Sequence, residues 1–312
     1  MNQSGRQRAP VPPLDPHSVR VFKRLADEFS VRYADEFLYP HLQRLLECES
    51  EEIDVEEIAE KIVTARASLV VFFCHYAFAR RGKDRETLAN FAFEALGRLQ
   101  GDKEFSAVLE LDGGEQLWEH FEAICQENRR KPNEAQNRGL LQGMLELSQE
   151  NYRESGSGSL TTWLVETVQK TRRIEPCFER IVDIRGVGPK STSTFMRDIV
   201  YIFDLEQIVE PADRIYIHPI DRWLRTISRY IVPEPNMEKA ADWIIAGKIS
   251  KYSRRAGVSG IAFNMGTTFF GQKLVKEPAR FEDMLKKLAL GESVEESTEL
   301  EPVPGDEEPV KS

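Results

Sequence analysis

Apolar residues recur along most of the chain at the three-to-four-residue spacing of a helix face. Around 18–48 they are Val21, Leu25, Phe29, Tyr33, Phe37 and Leu38; over 54–80, Ile58, Ile62, Ala65, Leu69 and Phe72 or Phe73 continue the same period. The spacing predicts further helices over 85–100, 114–128, 133–153 and 159–173, and later over 220–231, 236–254, 258–271 and 279–289. Gly113-Gly114, Lys131-Pro132 and the stretch SGSGS at 155–159 supply the breaks. Only Arg214–Ile217 alternates as a strand does. No repeat of 20–50 residues is visible, and the pattern as a whole predicts an all-α fold.

Composition sets the frame. The 312 residues are 41% hydrophobic and 30% charged, enough to bury a sizeable core. No apolar run approaches the roughly 18 residues of a membrane span. The first residues, MNQSGRQRAPVPPLDPHS, lack the apolar stretch of a secretory signal. These features predict a cytosolic or nuclear protein with no membrane partner. Residues 1–17 carry four prolines and residues 291–312 are rich in Glu and Pro, so both are expected to be disordered, leaving 18–290 as the folded domain. Cys48, Cys74, Cys125 and Cys177 lie 26, 51 and 52 residues apart, with no CxxC or Cys/His cluster. That spacing points to free thiols and to no structural metal.

The net charge of -10 argues at first against a nucleic-acid partner. The charges are unevenly spread. Residues 1–169 hold 20 basic and 29 acidic side chains, net -9. Residues 170–276 hold 18 and 12, net +6, and residues 277–312 hold 4 and 11, net -7. A basic segment therefore sits between two acidic ones.

That basic segment contains the most informative stretch, 176–229, centred on Ile184-Arg185-Gly186-Val187-Gly188-Pro189-Lys190-Ser191. A Walker A loop would need Gly before the lysine and a strand ahead of it; here Pro189 precedes Lys190 and the lead-in, with Phe178, Ile181 and Val182, reads as helix. A dinucleotide-binding GxGxxG fails because Ser191 takes the third glycine position. A helix-hairpin-helix over 176–204 remains. Gly186 and Gly188 permit a tight turn with positive φ, and Pro189 suits the first turn of the outgoing helix. The amides of that helix start can hold a phosphate, positioning nucleic acid without reading its sequence. The alternative is an αα-turn with no ligand. Downstream, Pro219-Ile220-Asp221-Arg222-Trp223-Leu224-Arg225 reads as a helix start with Asp221 at the N-cap.

In these two motifs, I-R-G-V-G-P-K and P-I-D-R-W-L-R, the chain resembles the helix-hairpin-helix DNA glycosylase superfamily, which includes endonuclease III and the 8-oxoguanine DNA glycosylases. The resemblance covers about 176–229 and extends weakly to Ile261-Ala262-Phe263-Asn264-Met265-Gly266. The step of 31 residues from Lys190 to Asp221 exceeds the spacing of the common members and is closest to the archaeal 8-oxoguanine branch. Arg185 stands where the family usually has Pro, and no cysteine follows Asp221, so the iron–sulfur loop of the endonuclease III group is absent.

The resemblance implies a two-lobed helical bundle with the hairpin at the inter-lobe cleft. It implies a monomeric base-excision enzyme with AP lyase activity on double-stranded DNA carrying a damaged base such as 8-oxoguanine. Lys190 falls on the nucleophile and Asp221 on the catalytic aspartate. Arg185, Gly186, Val187, Gly188 and Ser191 fall on the phosphate-binding turn, where the family often holds a monovalent cation; no other cofactor or metal is implied. His218, Arg222 and Trp223 are candidates to line the site, although a loop histidine bonded to the backbone is the plainer expectation for His218. Trp243, Phe269 and Phe270 offer aromatic faces to a flipped base or, more simply, belong to the core. Arg225, Arg229, Lys248, Lys251, Arg254 and Arg255 are candidates for backbone contacts. Competing readings are a non-catalytic DNA-binding or scaffold protein that keeps the hairpin, and an all-α adaptor.

Overall fold

A computed structural model describes residues 14–78, 85–232 and 234–294. Among these residues every regular element is helical. Most of the expected disordered ends, 1–13 and 295–312, lie outside the described residues. Helix α1 (16–45) starts earlier than expected, inside the proline-rich segment. Asp15 caps it by accepting from the Ser18 amide at 2.9 Å, and Pro16 takes the first turn. Two π-helical turns, Leu25–Phe29 and Ala34–Leu38, widen it.

The single helix expected over 54–80 is two, α2 (Val55–Ile62) and α3 (65–77). Thr64 ends the first and caps the second, its hydroxyl accepting from the Ala67 amide at 3.4 Å. Helix α4 (Arg85–Gln100) follows, then a short α5 (Phe105–Glu110) that the periodicity does not reveal because only Val108 and Leu109 are buried. Helices α6 (Gly114–Glu127), α7 (Glu134–Ser155) and α8 (Leu160–Thr171) match the pattern closely.

Helices α9 (Glu175–Val182) and α10 (Pro189–Ile202) flank the glycine-containing turn. The strand-like alternation at 214–217 is instead a 3₁₀ turn, Asp213–Ile217. Buried Asp213 fixes it by accepting from the amides of Ile174 and Glu175 and from Arg173, at 2.8–3.0 Å. Then come α11 (Arg222–Ile231), α12 (Asp242–Ala256), α13 (260–275) and α14 (Phe281–Leu290). Helix α12 begins at Asp242, not 236, because Met237–Lys239 forms a separate 3₁₀ turn.

The buried apolar side chains form two groups. One runs from the second half of α1 through α10 and takes in Ile217, Ile261 and Met265. The other joins Val21–Phe29 of α1 to α11–α14. Thus α1 serves both, and the N-terminal turns of the chain pack with its last hundred residues. Arg20 donates to the Ala289 carbonyl at 2.8 Å and Arg24 to the Glu292 carbonyl at 2.6 Å. Helix α13 lies against α1 so closely that a β-carbon at Gly266 would overlap the Leu25 carbonyl oxygen.

This approach is backbone on backbone, so no rotamer change relieves it. Gly266→Ala should destabilise the fold by about 2–3 kcal/mol, as overpacking in a rigid core does, read as a lower urea midpoint. Gly97→Ala, with open space at its β-carbon, should be neutral or slightly stabilising in the same assay.

Candidate functional site

The turn between α9 and α10 follows from its sequence. The Ile184 amide bonds back to Ile181 at 3.2 Å and the Val187 amide to Ile184 at 3.0 Å. Gly186 takes φ +93°, and a β-carbon there would overlap the Gln136 carbonyl oxygen of α7. A side chain is therefore excluded twice, by backbone torsion and by the neighbour. Gly188 is different. It is extended, at φ -101° and ψ 154°, faces open space, and serves as the N-cap of α10. Its positive φ was an expectation the structure corrects.

Ile184 and Arg185 lie on α7, where Gly139 and Gly143 make room. β-Carbons at those glycines would come within 2.9 Å of Arg185 and 2.6 Å of Ile184. Val187 is buried and its amide is occupied, so it anchors the turn and offers nothing to a ligand. Pro189 has no N–H, and the first free amides of α10 belong to Lys190 and Ser191, which have no intrahelical acceptor. The Lys190 side chain is exposed and, among the described residues, makes no ion pair.

Asp221 is extended at φ -94° and ψ -176° and caps α11. Its Oδ1 accepts from the amides of Trp223 and Leu224, both at 2.8 Å, and its Oδ2 accepts from the Thr268 hydroxyl at 3.1 Å. One turn before Thr268 on α13, Asn264 donates to the Pro219 carbonyl at 3.3 Å. Helix α13 thus grips the 219–221 segment at two points.

Asn264 also accepts from fully buried Arg197 at 2.9 Å. Arg197 in turn bonds Asp198 at 2.8 Å and the Tyr33 hydroxyl at 2.6 Å. Burial drives the Tyr33 phenol up to about 12, against the pull of the Arg197 charge. The helix that opens beside Lys190 is therefore tied through Arg197 and Asn264 to the segment bearing Asp221. No hydrogen bond or ion pair joins Lys190 to Asp221 directly among the described residues.

The remaining candidates divide. Trp223 is buried, with Phe281 stacked at 5.6 Å between ring centres and Gly271 against its face, so it is core and cannot stack on a base. Phe269 and Phe270 are likewise buried, whereas Trp243 is 67% exposed. Arg222 is exposed and lies 4.4 Å over the Trp223 ring. His218 is buried and, among the described residues, neither ring nitrogen has a partner, so the expected backbone bond is not made.

Cavities of about 380 and 600 Å³ border the turn along α7, lined among others by Gly139, Gln142 and Arg185. Neither is lined by Lys190 or Asp221. Among the described residues no group of three or more His, Cys, Asp or Glu side chains is placed to hold a metal ion. No helix there is long and apolar enough to cross a membrane.

Sequence reading missed Arg197, Tyr33 and Thr268. The available signal was spacing: Asn264 and Thr268 stand four apart on one helix face, where polar side chains interrupt an otherwise apolar helix. The chain matches no protein-family model, no curated protein and no solved structure.

Burial, with the charges of Arg197 and Arg214 nearby, lowers His218 from 6.5 to about 3. The imidazole is neutral in the fold but protonates in the unfolded chain. Its contribution is complete above pH 6.5 and is lost as pH falls toward 3, at up to about 1.4 kcal/mol per pH unit. Urea unfolding should therefore lose about 2–3 kcal/mol between pH 6.5 and 4.5 through this residue. His218→Asn should flatten that part of the slope, whatever its baseline stability.

Proposed function

We propose that the protein is a base-excision DNA glycosylase with AP lyase activity, acting on duplex DNA that carries a damaged base such as 8-oxoguanine. The observation that carries this reading is the α9–α10 turn. Gly186 is left-handed against α7, Gly188 and Pro189 open α10 with no side-chain cap, and an exposed Lys190 stands at its second position. A helix start built this way suits a phosphate. It also places an amine within the same first turn.

In this reading the two apolar groups are two lobes, and the damaged nucleotide is turned out of the stack between them. Lys190 Nζ attacks the sugar C1′ as the base departs with its bonding electron pair. Loss of a proton and ring opening give the Schiff base, from which removal of a C2′ proton expels the 3′ phosphate. Nothing among the described residues covers Lys190, so bound DNA must desolvate the amine. The Asp221 carboxylate stabilises the positive charge that develops on the sugar as the base leaves. Arg185 and Ser191 contact the backbone beside the turn, and a monovalent cation at the turn carbonyls belongs to the same proposal.

A non-catalytic DNA-binding protein is the second reading. It is favoured by Asp221, whose oxygens already have a complete structural task as an N-cap.

The test is incubation with duplexes carrying a panel of damaged bases, with borohydride trapping. A covalent adduct and base release are expected from the wild type. Lys190→Gln should yield no adduct, and an adduct that persists would remove Lys190 as nucleophile. Asn is as good an N-cap as Asp, so Asp221→Asn should abolish cleavage at nearly unchanged stability. Asp221→Ala should cost about 1 kcal/mol more by urea denaturation. Binding without base release on every lesion would leave the second reading.

A further inference from the structure

We propose that the loop between α6 and α7, residues 128–133, is a second grip on the DNA backbone, beside the α9–α10 turn. This rests on the reading of that turn as a phosphate holder, and it moves part of the DNA surface into the acidic half of the chain. The loop carries Arg129-Arg130-Lys131 in succession, all exposed. By segment arithmetic they vanish into a net charge of -9, yet their loop leads straight into α7, the helix on which the turn packs.

The placement follows from named contacts. Gly186 packs on the Gln136 carbonyl, in the first turn of α7. Arg185 lines one cavity together with Glu134, Ala135 and Arg138 of that same turn. From Gln136 back to Asn133 the helix rises about 4.5 Å. From Asn133 to Lys131 the chain spans at most about 7 Å. With the roughly 6 Å between the α-carbons of Gly186 and Gln136 added, the Lys131 backbone lies within about 18 Å of the glycine turn, and Arg129 follows two residues further out. A DNA strand advances about 3.4 Å per phosphate along the axis, so one strand can meet both Lys131 and the turn in the space of about five phosphates.

The loop is also built to hold its shape. Arg129 donates to Gln126 at 3.0 Å and Arg130 to Cys125 at 2.7 Å, closing α6 with a left-handed residue at 129. Glycine is the residue such an ending favours, and here the position is given to arginine at φ +53°. At the other end Asn137 clamps the Pro132 carbonyl at 2.8 Å, and Asn133 is left-handed as well.

Neighbouring carboxylates are already taken. Glu127 pairs with Arg98 at 2.7 Å, Glu134 with Arg138 at 2.8 Å, and Glu115 with Arg138 at 2.7 Å. Arg129 and Lys131 make no ion pair among the described residues, so both charges face outward from a fixed loop. A polyanion of regular spacing, shared with the adjacent turn, is the occupant this arrangement fits.

Binding of the full chain to an undamaged duplex oligonucleotide, read by fluorescence anisotropy across a salt series, tests this without requiring any chemistry. Arg129→Gly/Lys131→Gln removes two charges and the left-handed side chain together. The expected result is affinity about tenfold weaker at 0.1 M salt and a log–log salt slope shallower by about 1.8, at roughly 0.9 per phosphate released. The thermal midpoint should be equal or higher, because glycine relieves the backbone at 129. A purely structural role would lower the midpoint and leave the slope.

Unchanged affinity and slope would overturn the proposal. Lys190→Gln run in parallel separates the two ideas. If binding weakens with Lys190→Gln alone, the loop is excluded and the turn stands; if it weakens with the loop variant alone, the turn is excluded and the loop stands. A wild type that binds no duplex at 50 mM salt overturns both. Binding of a polyglutamate peptide as tight as duplex, and lost in the loop variant, reassigns the loop to an acidic protein partner and overturns the proposal.

Discussion

The guanidinium of Arg197 is the constraint around which the described structure is arranged. It is 2% exposed and its neighbour Asp198 is fully buried. A charge so placed is tolerable only when its donors find acceptors. Those acceptors come from three parts of the chain: Tyr33 on α1, Asp198 on α10 and Asn264 on α13. Removing one partner of such a buried set typically costs about 3–5 kcal/mol. The network therefore fixes which helices may meet there, whereas apolar packing on either side would accept several arrangements. Its position between the two buried apolar groups makes it the joint through which α10 and the 219–221 segment are set relative to each other.

Glycines define the second level of order. Gly186 allows the turn to lie on α7, Gly139 and Gly143 let Ile184 and Arg185 cross that helix, and Gly266 lets α13 approach α1. Each removes a side chain where a backbone or a stem must pass. The result is a turn braced from behind by a 22-residue helix, α7, with its amide-bearing face left clear. A rigid support of this kind suits a contact that positions a ligand by its backbone groups.

The helical periodicity made most elements legible, since burial and apolar spacing coincide from Val21 to Leu288. The departures have local causes. Thr64 splits a continuous apolar run because its hydroxyl can cap, and periodicity is blind to caps inside such a run. Arg214–Ile217 alternates in sequence but is turned by the Asp213 carboxylate, a partner 38–40 residues from the groups it binds. At the candidate site, Gly186, Lys190 and Asp221 could be picked out because glycine, proline and N-cap chemistry are local. Thr268 and Arg197 could not, because their meaning lies in contacts across 47 and 67 residues. Charge summed over long segments misled in the same way: it recorded an acidic N-terminal half and missed three exposed basic side chains in the loop that leads into α7, the helix behind the turn.

The packing of α1 against the last helices also bears on how the molecule is made. Val21, Phe22, Leu25 and Phe29 leave the ribosome well before their partners on α13 and α14, which follow in the chain by more than two hundred residues. At about 5–20 residues per second, the interval is of the order of ten seconds or more. For that time the apolar stripe of α1 has no permanent cover. The group built on α3–α10 can condense first, while the group beside Asp221 must wait for α13 and α14 to be made. Synthesis thus leaves the half bearing Asp221 as the later and more chaperone-dependent step.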